Sequence, residues 1–368
     1  MKFSVLRWTT LCLFAGTASA QTLDAADTKD PSLIARDHRA YVSGMYGNGK
    51  IDGENVRGKT TLGWAFEVRF GKEVNLPGVG AGKLFSADEK FRVDVVHYNE
   101  GHPDNNHRDG FALQGIYNKP LGKTVSAEVG LGPYYSMNTT TIGGVQYNNS
   151  NLGVLLSTAL LIDVDQLGSG AHIRLGFNHV SMPGAGAHSS NAVLIGVGKY
   201  FDAPAARSIP GLVDDRLWLG VAAINGQTNH ANTERSVGAS AEIKKYYGPW
   251  ALSASAIAEG DDDSRVDRRG LAAQGWYVQP LADNWSASAG FGPYVSTNKR
   301  GPSDQVRLMA LITMQVDRTI GRDWKAFASF SRVNTFREKN DRDLFRVGIM
   351  RAFGGEVDGG DGDTNRSS

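Results

Sequence analysis

The stretch TLGWAFEVRFG, Thr61 to Gly71, decides the fold. Leu62, Trp64, Phe66, Val68 and Phe70 fall on one parity, and Thr61, Gly63, Ala65, Glu67, Arg69 and Gly71 on the other. Successive side chains of a strand point to opposite faces, so this run carries one aromatic and aliphatic face and one small or charged face. The pattern recurs as Val125, Ala127, Val129 and Leu131 against Ser126, Glu128, Gly130 and Gly132. It returns in Val306, Leu308, Ala310, Ile312, Met314 and Val316, opposed by Arg307, Thr313, Gln315 and Asp317, and again in Phe345, Val347, Ile349 and Phe353.

A soluble sandwich alternates in the same way, so the connections have to separate the two. Candidate strands begin near Arg39, Thr60, Phe91, Gly110, Thr124, Leu152, His172 and Asn191. A second set begins near Arg216, Ser236, Ala251, Gly270, Trp285, Val306, Trp324 and Leu344. With the first strand rising from the periplasm, the inward turns are short: Asn118 to Lys123, Asp165 to Gly170, Lys245 to Pro249 and Gln279 to Asn284. The outward ones are longer and polar: Gly47 to Gly58, Asn99 to Asp109, Asn138 to Ser150 and Gly260 to Arg269. Gly71 to Lys90 is the exception, long where a short turn is expected. Short turns on one side and long loops on the other are the pattern of an outer-membrane β-barrel.

An internal repeat sets the architecture. FALQGIYNKPLGKTVSAEVGLGPYYSMN (Phe111 to Asn138) aligns without gaps on LAAQGWYVQPLADNWSASAGFGPYVSTN (Leu271 to Asn298). Gln114/Gln274, Tyr117/Tyr277, Pro120/Pro280, Gly132/Gly292, Pro133/Pro293 and Tyr134/Tyr294 are among the identities. The chain therefore reads as all-β, about sixteen strands in two eight-strand units, residues 39–201 and 215–353, with a Pro/Gly linker at 202–214. Two closures are open: one sixteen-stranded antiparallel transmembrane barrel, which is favoured, or two tandem eight-stranded barrels. A half-closed sheet is excluded, because bare strand edges are not tolerated in lipid.

The remaining composition sets limits. A net charge of +1 over 368 residues gives no basic excess for a nucleic acid to bind. Lys2 and Arg7, an apolar stretch from Trp8 to Gly16 and Ala18-Ser19-Ala20 form a cleavable export signal over residues 1–20, followed by a periplasmic segment at 21–38. The one cysteine, Cys12, leaves with the signal, and past it no apolar run approaches the ~18 residues of a membrane helix. The expected location is the outer membrane of a Gram-negative bacterium. Expected partners are outer-membrane lipid and lipopolysaccharide, the assembly machinery, which commonly reads a terminal aromatic such as Phe353, and an export partner in the periplasm. Residues 354–368 form a Gly/Asp-rich tail, read as disordered.

Chemistry concentrates on one strand. In Ile173, Leu175, Phe177, His179 and Ser181, the last two share the apolar parity and face lipid near the outer end. A histidine beside a serine can take its hydroxyl proton and activate it for acyl transfer. The run FNHVS (Phe177 to Ser181), followed after a short loop by Asn191 and a strand ending at Phe201, resembles the lipid A 3-O-deacylase family of outer-membrane barrels. That resemblance covers the first block and implies His179 as base, Ser181 as nucleophile and Asn191 as orienting residue. The asparagine that usually follows the family's serine is Met182 here, and Asn191 or Val193 stands where its acid lies. In the second block FSRVN places Arg332 and Asn334 at the matching positions, so that copy is expected to be inert. The bland alternative makes His179 and Ser181 ordinary polar residues at the membrane interface.

Other clusters read as solvated loops. His102, Asp104, His107 and Asp109 carry metal-ligating types without a fixed spacing, Asp261 to Asp263 form a charged loop tip, and GVGAG (Gly78 to Gly82) lacks the lysine of a phosphate loop. No cofactor and no metal are expected. The inward set Glu67, Arg69, Arg92, Asp94, Glu128, Lys244, Arg307 and Asp317 mixes signs and would line a polar channel or pair into internal salt bridges. The leading functional reading is a non-enzymatic channel or translocation pore for hydrophilic solutes or an exported polymer such as exopolysaccharide. The alternative is a lipid A or phospholipid ester hydrolase using His179 and Ser181.

Overall fold

The computed structural model describes residues 39–354, apart from 52–61, 75–89, 102–105, 143–144, 184–187, 202–215, 229–233, 283, 302–304 and 337–339. The signal, the linker, the tail and the long connection after Gly71 fall largely or wholly outside the described residues.

The first unit contains β1 (Ala40–Ile51), β2 (Leu62–Val74), β3 (Lys90–Gly101), β4 (Asn106–Pro120), β5 (Val125–Ile142), β6 (Val145–Asp163), β7 (Ala171–Ser181) and β8 (Ser190–Phe201). The second contains β9 (Leu217–Thr228), β10 (Glu234–Tyr247), β11 (Trp250–Asp261), β12 (Asp267–Ala282), β13 (Trp285–Asn298), β14 (Arg307–Thr319), β15 (Trp324–Asn334) and β16 (Arg342–Phe353). Neighbours in sequence pair antiparallel throughout, and each set of eight closes on itself. β1 pairs with β8 from Ala40↔Phe201 to Ile51↔Ser190, and β9 pairs with β16 from Leu217↔Phe353 to Thr228↔Arg342.

The favoured single sixteen-stranded barrel is thereby corrected to the tandem pair. The physical reason lies inside. An eight-stranded barrel is just wide enough for side chains to fill it. The inward residues here are large: Tyr41, Arg69, Arg92 and Arg174 in the first barrel and Trp218, Trp276 and Arg346 in the second, all at most 2% exposed. A sixteen-stranded cylinder would leave those groups without packing partners across it.

Two loop expectations are also corrected. Asn138 to Ile142 and Val145 to Ser150 are strand, two legs of a hairpin in which Asn138 pairs with Asn149 and Thr140 with Tyr147. His107 and Asp109 likewise belong to β4, not to a solvated loop, and Asp109 is buried.

Outside, the stripe that opened the reading is bare. Leu62, Val193, Leu271 and Val347 are each 67–71% exposed. Apolar surface of this extent is a liability in water and the expected outer face of a barrel in lipid. At the end of the second barrel where β16 stops, Tyr247, Trp250, Trp285, Trp324 and Phe353 form an exposed aromatic belt. Arg318 sits over Trp285 (5.4 Å) and Arg351 over Trp324 (5.5 Å), the cation-and-ring composition of a membrane interface.

The barrels touch through outward faces of β1 to β6 and of β12 to β16. Ala40 and Phe70 pack with Leu281 and Ala287, and the Phe330 ring lies 4.7 Å from that of His97. Asn334 donates to Oη of Tyr135 (3.3 Å) and Oγ of Ser150 (3.2 Å).

Candidate functional site

Three places carry polar chemistry. The first is the interior of the first barrel, where the inward charges pair around a few centres. Arg69 holds Glu67 through two bonds (2.7 and 2.6 Å) and reaches Asp94 at 3.3 Å. Arg92 joins Asp94 (2.6 Å) to Glu128 (2.8 Å), and Glu128 also takes Arg174. Arg92 stacks 3.6 Å over Tyr41, which meets His172 at 3.1 Å. Of the two fates expected for the mixed charges, this is internal salt bridging. Arg307, in the expected inward set, stands exposed at the first residue of β14.

The interior of the second barrel differs. Ser253, Ser255, Ser288, Ser329 and Ser331 replace bulk with hydroxyls at mid-height, between an apolar layer around Trp218, Trp276 and Phe327 and another around Ile224, Leu311 and Leu344. Both carboxylate oxygens of Glu242, Nζ of Lys244, Nη2 of Arg346, Oγ of Ser255 and Ser288 and Oδ2 of Asp317 are buried without a hydrogen-bond partner among the described residues. Buried polar groups of this kind ordinarily take a water or solute as partner.

The second place is the outer face of β7 and β8. His179 and Asn191 are cross-strand partners, both half-buried, and Nδ1 of His179 donates to Oδ1 of Asn191 at 2.9 Å. The alternation of β7 turns both His179 and Ser181 outward, because Asn178 and Val180 between and beside them fill the barrel. Ser181 is exposed two residues beyond the histidine. No hydrogen bond joins its hydroxyl to the ring among the described residues. Met182 turns inward into the core cluster beside Leu155 and Val180. Across β8, Asn191 faces Lys50 of β1, and Lys50 is exposed. The three residues named from the sequence thus share one lipid-facing patch.

The third place lies between the barrels, where two residues that the sequence grouped as ligand types, His107 and Asp109, meet side chains of the second unit that the sequence did not connect with them. Arg332, fully buried on the outer face of β15, bonds Asp343 (2.8 Å) and approaches Asp109 of the first barrel (3.8 Å) and Asp341 (3.9 Å). His107 lies 3.8 Å from Asp109. His102 and Asp104, grouped with these two in the sequence, lie outside the described residues.

The architecture is that of a transmembrane barrel protein, made of two closed antiparallel barrels with apolar exteriors and polar interiors. The chain matches no protein family and no curated protein. Among solved structures it is similar to Neisserial surface protein A, at 16% identity and TM-score 0.34 over 44% of this chain and 97% of that one. It is also similar to the attachment invasion locus protein of Yersinia pestis (11%, TM-score 0.33, 45% of this chain and 99% of that one). A longer match is to an outer membrane channel from Pseudomonas putida F1 (11%, TM-score 0.20, 86% and 96%). The fold assignment rests on the strand pairing alone.

Proposed function

We propose that the protein is an outer-membrane double barrel whose working surface is the lipid-facing patch of the first barrel, where it hydrolyses an ester bond of a membrane lipid. The observation that carries this reading is the bond between Nδ1 of His179 and Oδ1 of Asn191. It fixes the proton on Nδ1 and leaves Nε2 as a base, in the manner of histidine triads that use asparagine as the orienting group. The Ser181 hydroxyl passes its proton to Nε2 and attacks the ester carbonyl. His179 then returns the proton to the leaving alkoxide, and water releases the acyl group from Ser181 by the same relay. Hydrogen bonds of such pairs tighten only with substrate in place, so the open serine is compatible with the role. Exposed Lys50, opposite Asn191, offers a cation to a phosphate-bearing headgroup, which favours an anionic lipid such as lipid A.

Passage of small hydrophilic solutes is a second reading, favoured by the orphaned polar belt inside the second barrel. A wide lumen for a polymer has no counterpart in either filled barrel. Mass spectrometry of lipid A from expressing cells separates the readings. Loss of one hydroxyacyl chain with the wild type, and its retention with Ser181→Ala, is the expected result. Retention with the wild type, together with unit conductance steps in planar bilayers, would put the second reading first.

A further inference from the structure

The duplicated halves differ in the charge of their interiors. Ser288 falls at the repeat position of Glu128, the carboxylate that joins Arg92 to Arg174 in the first barrel. Ser253 pairs with Gln274 as Asp94 pairs with Gln114, so a second carboxylate position also carries a hydroxyl. The charges that the second interior does hold stand apart. Glu242, Lys244, Asp317 and Arg346 are 1–5% exposed, and no ion pair joins any two of them among the described residues. Lys244 nonetheless lies within the field of the other three. Both oxygens of Glu242, Nζ of Lys244, Oδ2 of Asp317 and Nη2 of Arg346 are buried without a hydrogen-bond partner there, and so are the hydroxyls of Ser255 and Ser288. Charges held close together without contact are ordinarily bridged by water or a small solute.

We infer that the second barrel passes small inorganic anions and that Lys244 sets the preference for negative charge. The inference rests on the reading of this interior as a path for small hydrophilic solutes, and it names the solute. The aromatic layer beside the belt encloses a solute most tightly, and ammonium groups are set on its rings. Nζ of Lys244 lies 3.5 Å over Trp276, and Nζ of Lys325 lies 4.1 Å over Tyr246. A ring face holds an ammonium by its charge, so the positive charge stays where a passing ion must meet it. Lysine and arginine at a constriction select anions. The serine hydroxyls of the belt add donors that an anion accepts. Glu242, two residues from Lys244 on the same inward face, opposes this preference. The rings lie back against glycine in the wall: a Cβ at Gly290 would stand 2.6 Å from Trp276, and one at Gly348 2.7 Å from Phe327. The width that remains in an eight-stranded barrel suits an ion and not a polymer. The uncharged layer of Ile224, Leu311 and Leu344 is the dewetting barrier, which keeps openings brief.

The test uses the full chain folded in detergent and inserted into a planar bilayer of neutral lipid, with KCl more concentrated on one side. The wild type is expected to give small, brief unit steps whose reversal potential has the sign set by the chloride gradient. Lys244→Gln should move that potential to zero or past it, and Glu242→Gln should move it further in the chloride direction. Heat-modifiable mobility checks that both variants are folded. Silence of the folded wild type removes solute passage and this inference together. Steps that reverse with the sign of the potassium gradient, or a reversal that neither substitution moves, leave passage standing and overturn the anion assignment. The sign measured on the wild type is decisive alone, so a variant that fails to fold does not rescue the inference.

Discussion

Arg332 and His179 hold equivalent places, on the outward face of the penultimate strand of each barrel, and they do different work. His179 pairs across the sheet with Asn191, and Arg332 pairs in the same way with Asp343. The first barrel presents a histidine with an asparagine partner there, and the second a guanidinium with a carboxylate partner. Placing a carboxylate at Asn191 therefore makes a sharp test of the proposed hydrolysis. In Asn191→Asp the same Nδ1–H bond forms and the imidazolium gains a counter-charge, so ester hydrolysis should rise by about tenfold or more, while Asn191→Leu should nearly abolish it. Steady-state release of hydroxy fatty acid measures both. Parity made His179, Ser181 and Arg332 legible as outward residues. What the sequence did not reveal is that Arg332 is buried: an outward position meets lipid or a second barrel depending on side-by-side packing, and strand alternation reads the same in both cases.

Between β11 and β12, three successive aspartates read from the sequence as a charged loop tip, and the element holds them in place. Arg300 clamps Asp261 and Asp263, at 2.7 Å and 3.1 Å through Nη2. Asp262 turns in: its Oδ1 accepts the backbone N–H groups of Ser264 (3.1 Å), Arg265 (2.7 Å) and Val266 (2.8 Å), and its Oδ2 takes the Thr228 hydroxyl (2.6 Å). Burial pushes this carboxyl up, and the hydroxyl and backbone donors outweigh it, so its pKa is held below the ordinary aspartate value. A depressed folded pKa means that the turn is stabilised above the unfolded pKa and loses that contribution as pH falls through the folded one. Amide protection of Ser264 to Val266 should therefore fall on acidification, and Asp262→Asn should remove that dependence. Nuclear magnetic resonance exchange measurements at several pH values would detect a flat wild-type profile, the contrary result. At this scale the sequence was informative where apolar residues alternate. It failed where they stop: the polar legs of the β5–β6 hairpin, Asn138 to Ile142 and Val145 to Ser150, carry no stripe and are strand only because each pairs with the other.

Closure is a property of the whole molecule. Every local pairing in this chain joins neighbours in sequence, and a single large barrel would contain nearly all of the same pairs; only the seams differ. Local pattern is blind to the seam, which is why the repeat left both closures open. Interior volume decides between them, since only a narrow cylinder brings Asn178 of β7 to Glu67 of β2 (2.8 Å) and Lys325 of β15 over the Tyr246 ring of β10 (4.1 Å), each contact spanning the seam of its own barrel. The same filling removes the wide lumen on which polymer passage depended and moves attention to the outer surface and to the contact between barrels.

The seam can be read with paired cysteines, since Cys12 is the one native thiol. Tyr46→Cys with Ile195→Cys joins β1 to β8, and Ala223→Cys with Val347→Cys joins β9 to β16, all at facing outward positions. Facing strand residues lie within disulfide reach, about 4.5–5.5 Å between Cα atoms. Two self-closed barrels predict that both pairs oxidise to intrachain disulfides in the folded protein. Failure of both pairs, with ready cross-linking of Tyr46→Cys to Val347→Cys instead, would place β1 beside β16 and contradict the account.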